Sequence, residues 1–271
     1  MFSPYYAWAR RRGAAEPQNH CAMNLALYGP RGKRWAMTER GHAALSRDDD
    51  HLAIGPSRLW WQGGRLTAEI DEIAAPLPRR LRGRIRVTPE IATGRRFALD
   101  PAGQHHWWPL APRARVEVEM SEPACRWQGG GYLDCNAGEV PLEQSFRCWD
   151  WSRAHLKGGA ALLYDRTLRN GDGASFALRV GIDGQIEPLP LPRTKPLPAT
   201  GWRVARHTRV DRGFGAEVAR TLEDTPFYAR SILRTHLFGE PVTALHESLD
   251  LDRFRHPLVQ MMLPFRMPRR A

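Results

Sequence analysis

Proline and glycine interrupt this chain at short intervals from one end to the other. The 271 residues include 22 prolines and 24 glycines, and neither residue type is gathered into a single tract. Proline lacks the backbone N–H donor and glycine allows a wider range of backbone angles, so both residues end or bend helices and strands. Long helices are therefore disfavoured over most of the sequence, and the intervals suit short strands joined by turns.

Several paired segments have the alternating pattern of half-buried strands and are separated by turn residues. Residues 58–61 and 66–73 flank Gly63-Gly64, a dipeptide typical of a tight hairpin turn. The second half contains two similar pairs, 160–167 with 174–180 and 231–238 with 242–249. Residues 202–210 predict one more strand. The sequence therefore predicts an all-β fold.

Helix is predicted at only two places. Residues 216–222 and 252–263 have helical spacing, and Asp250-Leu251-Asp252 is typical of a cap before the second of them. Residues 186–200 carry five prolines and cannot donate a continuous ladder of hydrogen bonds. That segment is predicted to be a stiff loop or an edge segment within the second half, with a linker between domains as the alternative.

The charge balance is strongly basic, with a formal net charge of +11. All but three of the 40 basic residues are arginine. Codon bias in a GC-rich genome explains such an excess without any function, and attraction to an anionic membrane surface is the functional alternative. Nucleic-acid binding is disfavoured because no recognition motif accompanies the charge.

The sequence shows neither a targeting segment nor cysteines at the spacing of a metal site. No run of about 18 apolar residues is present, and the amino terminus lacks the apolar core of a signal peptide. The expectation is a cytoplasmic protein, either dissolved or peripheral on the cytoplasmic face of a membrane. The four cysteines have no metal-site spacing and are predicted to be free thiols.

Two short segments bring chemically useful side chains into strand register. Residues 105–109 read His-His-Trp-Trp-Pro, and residues 129–138 begin with three glycines before Tyr132. Since alternate side chains of a strand share a face, His105 and Trp107 point one way, as do Tyr132 and Asp134. The sequence therefore predicts an acid, a base and two aromatic rings lining one cavity.

These segments, with other blocks in the same order, resemble the carotenoid 1,2-hydratases, also called hydroxyneurosporene synthases, of photosynthetic bacteria. The resemblance runs nearly from end to end. It is carried by the blocks 2–10, 19–29, 34–41, 54–57, 131–138, 224–231 and 246–254. Several long and compositionally unusual blocks in the same order are specific to a family in a way that a single short motif is not.

The resemblance implies two successive lipocalin-like β domains with little helix. We place them at residues 1–145, which carry the His-x-Trp and Gly-Tyr-x-Asp motifs, and at residues 146–271, a second β-barrel. It also implies the reaction, addition of water to the terminal C1–C2 double bond of an acyclic carotenoid such as neurosporene or lycopene. That chemistry needs no metal and no cofactor, and the sequence shows no dinucleotide or phosphate fingerprint.

An unpolarised alkene requires a strong proton donor and a stabilised cation. Asp134 is the candidate donor, because burial among apolar groups keeps a carboxylic acid protonated. The alternative is that Asp134 only satisfies a turn. Trp107 and Tyr132 are the candidates that stabilise the carbocation through their ring faces. With ten tryptophans in the chain, a core role is the alternative for Trp107.

A water molecule must then attack the cation and lose a proton, a task suited to a neutral imidazole. His105 is preferred to His106, which faces the other side of the strand. Other carboxyl groups that could act as acids are Asp150, Asp165, Glu247, Asp250 and Asp252.

Two other functions remain open from the sequence. A lipocalin-like scaffold also suits a non-catalytic carrier of a hydrophobic ligand, and a related cyclase or hydratase on the same scaffold is possible because a fold does not fix a reaction. The expected partners are an acyclic carotenoid, water and an anionic membrane surface, without nucleic acid.

Overall fold

The structure is a computed structural model that describes residues 2–29 and 32–270. Antiparallel strands make up most of it, and the helices are short. The predicted all-β class is therefore confirmed. No helix among the described residues has both the length and the apolar character needed to cross a membrane.

The first part of the chain forms an eight-stranded sheet and two strands of a three-stranded sheet, whose third strand comes from the carboxyl end. Its strands are β1 (Cys21–Gly29), β2 (Gly32–Arg40), β3 (Leu45–Arg47), β4 (His51–Ile54), β5 (Ser57–Gln62), β6 (Arg65–Ile73), β7 (Arg80–Ile91), β8 (Phe97–Ala98), β9 (His105–Glu122) and β10 (Ala124–Gly138). The larger sheet has the order β10-β9-β7-β6-β5-β4-β3, and β8 pairs with β9. Gly63 and Gly64 both have positive φ angles, which explains why glycines form the predicted hairpin turn between β5 and β6.

The second part forms a seven-stranded sheet. Its strands and the remaining ones are β11 (Phe146–Leu156), β12 (Gly159–Leu168), β13 (Gly173–Gly181), β14 (Ile186–Pro188), β15 (Arg193–Pro196), β16 (His207–Val210), β17 (Glu217–Asp224), β18 (Tyr228–Leu237), β19 (Glu240–Asp250) and β20 (Arg269–Arg270). The order in the sheet is β14-β13-β12-β11-β19-β18-β17. A two-stranded sheet pairs β15 with β16, and β20 runs parallel to β2.

Short helices complete the structure. They are α1 (Pro4–Arg12), α2 (Leu142–Ser145), α3 (Leu251–Arg255) and α4 (Pro257–Met262), with 3-10 turns at Pro17–Asn19, His42–Ala44 and Leu263–Phe265. Asp250 caps α3 by accepting a hydrogen bond from the Arg253 amide, as predicted. The helix predicted at residues 216–222 is wrong, because these residues lie mostly in β17 and pair with β18.

By its contacts the chain divides into two compact units. The first consists of residues 1–89, 114–131 and 260–271, and the second of residues 90–113 and 132–259. Strands β9 and β10 contribute residues to both units. The strands of the eight-stranded sheet end at Gly138, and those of the seven-stranded sheet begin at Phe146. The division into lipocalin-like domains at residue 145 stays a prediction.

The core of the first unit is a cluster of small and medium apolar side chains. Its buried members are Ala36, Ala74, Leu81, Val118 and Met120. Gly83 on β7 lies against β9 so closely that a Cβ atom there would stand 2.4 Å from the Glu119 carbonyl oxygen. Any larger residue at position 83 would therefore push β7 away from β9.

A buried ion pair also lies in the first unit. The Arg40 guanidinium donates to both oxygens of Glu72 at 3.0 and 2.8 Å, and the Ser57 hydroxyl donates to the same carboxylate at 2.8 Å. The Glu72 side chain has no exposed surface and that of Arg40 is 8% exposed. Since two buried charges are stable only as a pair, this contact is an obligate part of the fold.

We expect Glu72→Ala to lower the free energy of unfolding by about 3–5 kcal/mol, because it leaves the Arg40 guanidinium buried without its counter-charge. The matched control is Glu69→Ala. Glu69 pairs with two more exposed arginines, Arg58 and Arg84, and its loss is expected to cost about 1 kcal/mol or less. Urea unfolding of the two variants measures both values. Equal losses would contradict the account of the Arg40–Glu72 pair.

The seven-stranded sheet of the second unit has two differently filled faces. On one face, alternate residues form an apolar cluster that includes Ala154, Leu163, Leu233 and Ala244. On the other face, Trp151 lies between its cross-strand partners Tyr164 and Glu247. The sheet therefore presents an aromatic row on the face opposite to its aliphatic core.

Candidate active site

Three of the four predicted site residues meet in the second unit. The Trp107 indole N–H lies 3.0 Å from Asp134 Oδ2 and 3.2 Å from the Tyr132 hydroxyl. The Tyr132 hydroxyl donates to the same Asp134 oxygen at 3.1 Å. We call Trp107, Tyr132 and Asp134 the acid cluster. Its geometry follows from the alternation predicted for β9 and β10. Tyr132 and Asp134 are two residues apart on β10, and Trp107 lies on the adjacent strand β9, so the three side chains share one face.

The electrostatics of the acid cluster shift the Asp134 carboxyl group towards its protonated form. Burial raises the pKa of Asp134 above its usual value, and the negative charge of Glu247 acts in the same direction. The hydrogen bonds from Trp107 and Tyr132 oppose this rise without cancelling it. Burial also raises the pKa of Tyr132 well above its usual value, so that its phenol stays neutral and remains a donor. Asp134 is therefore a carboxylic acid with both a raised pKa and two fixed neighbours.

Trp107 is enclosed on all sides. Its side chain has no exposed surface, and its ring lies 5.6 Å from that of Phe97, 5.3 Å from that of Tyr164 and 6.4 Å from that of Phe176, measured between centroids. A ligand cannot lie on a ring face that other aromatic rings cover. In this structure Trp107 acts on the carboxyl group through its indole N–H, and the predicted contact of its ring with a carbocation stays a prediction.

The side chains of Tyr132 and Asp134 are only partly buried. The Tyr132 ring lies 5.1 Å from the Trp151 ring, and the Arg153 guanidinium lies over it at 5.4 Å from the centroid. Trp151 Nε1 and Arg153 Nε are buried and have no hydrogen-bond partner among the described residues. Two donors thus remain available beside the ring that adjoins the acid.

Sequence reasoning did not identify these neighbours. Trp149, Trp151 and Arg153 alternate on β11, and Tyr164 lies directly across from Trp151 on β12. Burial raises the pKa of Tyr164 and lowers that of Arg153. The Trp-x-Trp-x-Arg spacing indicates that these three side chains share one face of a strand. The sequence does not indicate that this face contacts Tyr132 on β10.

His105 lies away from the acid cluster. Its Nδ1 is 3.0 Å from Asp100 Oδ2, its Nε2 is 3.0 Å from the Val140 carbonyl oxygen, and its ring packs against Phe146. Both ring nitrogens are thus engaged by protein oxygens, and the side chain is almost fully buried. The ring fixes the start of β9 two residues before Trp107. The predicted role of His105 as the base that activates water stays a prediction.

A second polar cluster lies on the opposite face of β11. Asp150 accepts hydrogen bonds from the Ser248 hydroxyl and the His207 amide, and His246 Nε2 lies 3.8 Å from its Oδ1. Burial raises the pKa of Asp150 to about 7 and lowers that of His246 to about 4. A protonated carboxyl group and a neutral imidazole therefore coexist there between about pH 4 and pH 7. Asp165, another acid considered from the sequence, is paired with Arg209 at 2.6 Å.

We expect Asp150→Asn to change how stability depends on pH. The folded state holds the Asp150 proton up to about pH 7, whereas the unfolded chain releases it near the ordinary aspartate pKa, so wild-type stability falls as pH rises between these values. The lowered pKa of His246 acts in the opposite direction, but it is common to both proteins and cancels in their difference.

The free energy of unfolding of the variant minus that of the wild type should therefore increase by up to about 1.4 kcal/mol per pH unit from about pH 4 to 7, then level off. Urea unfolding at several pH values measures it. A difference independent of pH would show that Asp150 is not held protonated.

No group of three or more metal-ligating side chains lies together in the part of the chain that the structure describes. The four cysteines are free thiols, as predicted. Two of them, Cys21 and Cys148, have thiol pKa values raised by burial.

Comparison with known proteins identifies relatives along the full length of the chain. The family model described as carotenoid hydratase CrtC matches residues 1–271. The acyclic carotenoid 1,2-hydratase of Thiocapsa roseopersicina is 58% identical over 270 residues, which are 99% of this chain and 67% of that protein. The acyclic carotenoid 1,2-hydratase of Rubrivivax gelatinosus is 50% identical over 275 residues, covering 100% of this chain and 68% of that protein.

The fold also resembles a solved structure. A Nitrosomonas europaea protein assigned as AttH superposes with a TM-score of 0.58 at 12% sequence identity, covering 84% of this chain and 80% of that one. At this identity the likeness concerns the fold alone, and it agrees with the predicted lipocalin-like, all-β architecture.

Proposed function

This chain belongs to the carotenoid hydratase CrtC family, and we propose that it adds water to the terminal C1–C2 double bond of an acyclic carotenoid with Asp134 as the proton donor. The activity follows from the family, whereas the role of each residue is inferred from the geometry. The observation that supports it best is the half-buried Asp134 carboxyl group, which has a raised pKa and is bound by the Trp107 and Tyr132 donors.

The first step transfers a proton from Asp134 to C2. The O–H bond of the carboxyl group breaks, the π electron pair forms the C2–H bond, and a tertiary cation remains at C1. Protonation at the less substituted carbon is favoured because it gives the more stable cation. The two hydrogen bonds to Oδ2 strengthen as that oxygen becomes negative, so they stabilise the transition state more than the ground state.

The cation is then held between a carboxylate and aromatic rings. The Asp134 carboxylate supplies the opposite charge, and the partly accessible Tyr132 ring supplies a negative π face without a strong nucleophile. Trp151, at 5.1 Å from Tyr132, extends this aromatic surface. Trp107 lies behind the carboxyl group and orients it.

Capture by water completes the reaction. A water oxygen forms the C1–O bond and the resulting oxonium returns a proton to the Asp134 carboxylate, which restores the starting acid. Trp151 Nε1 and Arg153 Nε are the buried donors beside Tyr132 that suit such a water. His105 could accept this proton only if one of its ring nitrogens left its present partner.

The substrate also implies a partner. An acyclic carotenoid is dissolved in membranes, so the protein must withdraw it from a bilayer. We propose peripheral contact with the cytoplasmic face of an anionic membrane, supported by the net charge of +11.

Incubation of the purified protein with lycopene or neurosporene in vesicles tests the activity. The expected product is heavier than the substrate by one water and carries a tertiary hydroxyl group. A pigment that binds and is recovered unaltered would contradict the proposal and favour a carrier. Parallel reactions with the two carotenoids show which one is preferred and whether both ends of lycopene react.

A further inference from the structure

The helical segment near the carboxyl end carries its apolar side chains on the outside. Helix α4 (Pro257–Met262) continues into the 3-10 turn Leu263–Phe265. Leu258 is 60% exposed, Met261 57%, Met262 42% and Phe265 75%. These positions are spaced i, i+3, i+4 and i+7, so they share one face of a helix.

The other face of the same segment is fixed to the protein. Val259, Gln260, Leu263 and Met267 are buried, each at 9% exposure or less. The exposed face is therefore presented by an anchored segment rather than by a loose end. Scattered apolar residues on a surface need no explanation, but four large ones on one helical face are typical of an interaction surface.

The charge around this face indicates its partner. From Arg253 to Arg270 the sequence contains no acidic residue, and Arg255 and Arg270 are exposed. A second copy of the chain would bring arginines against arginines. An anionic bilayer offers both an apolar interior for the four side chains and negative headgroups for the arginines.

We propose that Leu258, Met261, Met262 and Phe265, with Arg255 and Arg270 on either side of them in the sequence, form the surface through which this protein docks on an anionic lipid bilayer. We call these residues the docking face. This inference rests on the proposed function, because a membrane-dissolved carotenoid is what makes docking necessary. The four side chains insert among the acyl chains, and the arginines stay at the level of the headgroups.

Co-flotation with vesicles tests the docking face. The variant is Leu258→Ser with Phe265→Ser, and the matched control is Leu191→Ser with Ile182→Ser, which removes two exposed apolar side chains from a different segment of the chain. On vesicles of phosphatidylglycerol and phosphatidylcholine we expect the variant to bind at least about tenfold more weakly than wild type. The control should bind like wild type. Circular dichroism and thermal unfolding verify that both variants fold.

The charge contribution has its own test. We expect Arg255→Gln with Arg270→Gln to weaken binding to the anionic vesicles and to reduce its dependence on salt. Wild-type protein should bind pure phosphatidylcholine vesicles more weakly than the anionic ones. Equal binding to both compositions would overturn the choice of an anionic bilayer.

Hydration of lycopene in detergent micelles separates docking from catalysis. The docking-face variant should retain wild-type turnover in micelles and lose it in vesicles. Wild-type flotation by the variant would overturn the proposal, as would a dimer in solution that the variant abolishes. If wild-type protein floated with the vesicles but did not hydrate lycopene, the proposed function would be contradicted. If it hydrated lycopene in micelles but did not float with vesicles, only the docking face would be contradicted.

Discussion

Replacement of Asp134 by asparagine is expected to lower the turnover of lycopene by roughly 10³-fold, within the range that a positioned general acid contributes. Asparagine keeps the size and one acceptor oxygen of the side chain, so the Trp107 and Tyr132 donors still have a partner. It has no proton acidic enough for transfer to an alkene. Binding of the carotenoid, followed by its visible absorption, should remain close to that of the wild type.

Asp150→Asn is the matched control for this experiment. Asp150 is a second half-buried aspartate of the same unit with a raised pKa, but it lies on the face of β11 opposite to Trp151 and Arg153. Its replacement should leave turnover within a few-fold of wild type. If Asp134→Asn turned over like wild type, or if only Asp150→Asn were inactive, Asp134 would not be the proton donor.

The second large effect is expected from Trp107→Phe, which keeps an aromatic ring and deletes the indole N–H. The lost hydrogen bond favoured the carboxylate form of Asp134, so its loss raises the pKa of Asp134 further. Because the acid must be protonated, activity is lost as pH rises through that pKa, and the alkaline limb of the pH–rate profile should move to higher pH. Turnover below this limb should fall about 10- to 100-fold, the value of a hydrogen bond to a charged group.

Two further variants separate the roles of the ring and the N–H. Trp107→Leu removes both, and Phe176→Leu removes a neighbour of the Trp107 ring that makes no hydrogen bond to Asp134. The Phe176 variant is expected to lose stability without any shift of the pH–rate profile. If Trp107→Phe behaved like wild type while Trp107→Leu were impaired, Trp107 would act through its ring, as the sequence predicted.

Local patterns predicted the fold well where each strand pairs with its neighbour in sequence. The hairpin at Gly63-Gly64 and the pairs β12–β13 and β18–β19 lie where alternation and turn residues placed them. Residues 216–222 were predicted as a helix because their spacing also fits one, and pairing with β18 decides otherwise. Short apolar segments are ambiguous because tertiary contacts outweigh local preference.

The proline-rich segment 186–200 behaves largely as its composition requires. Ile186–Pro188 forms the edge strand β14, and Arg193–Pro196 pairs only with β16. Proline lacks the N–H that a central strand needs, so an edge position was predictable. The strand predicted at residues 202–210 was too long, since only His207–Val210 is a strand.

The candidate site was predictable in part. Alternation along β9 and β10 was enough to bring together Trp107, Tyr132 and Asp134. It was not enough for His105, which shares the face of Trp107 but is held by Asp100 and the Val140 carbonyl. Trp151 and Arg153 come from β11, which belongs to another sheet than β10, and Glu247 comes from β19, so no local pattern indicates that they lie near the acid cluster.

The infrared spectrum of the Asp134 carboxyl group tests the central claim most directly. The protein is mixed with lycopane, the fully saturated analogue of lycopene, which has no double bond to protonate. The difference spectrum of wild type minus Asp134→Asn at neutral pH should contain the carbonyl absorption of a protonated carboxyl group, and this band should shift in D2O. A difference spectrum that contains only carboxylate absorptions would contradict the account.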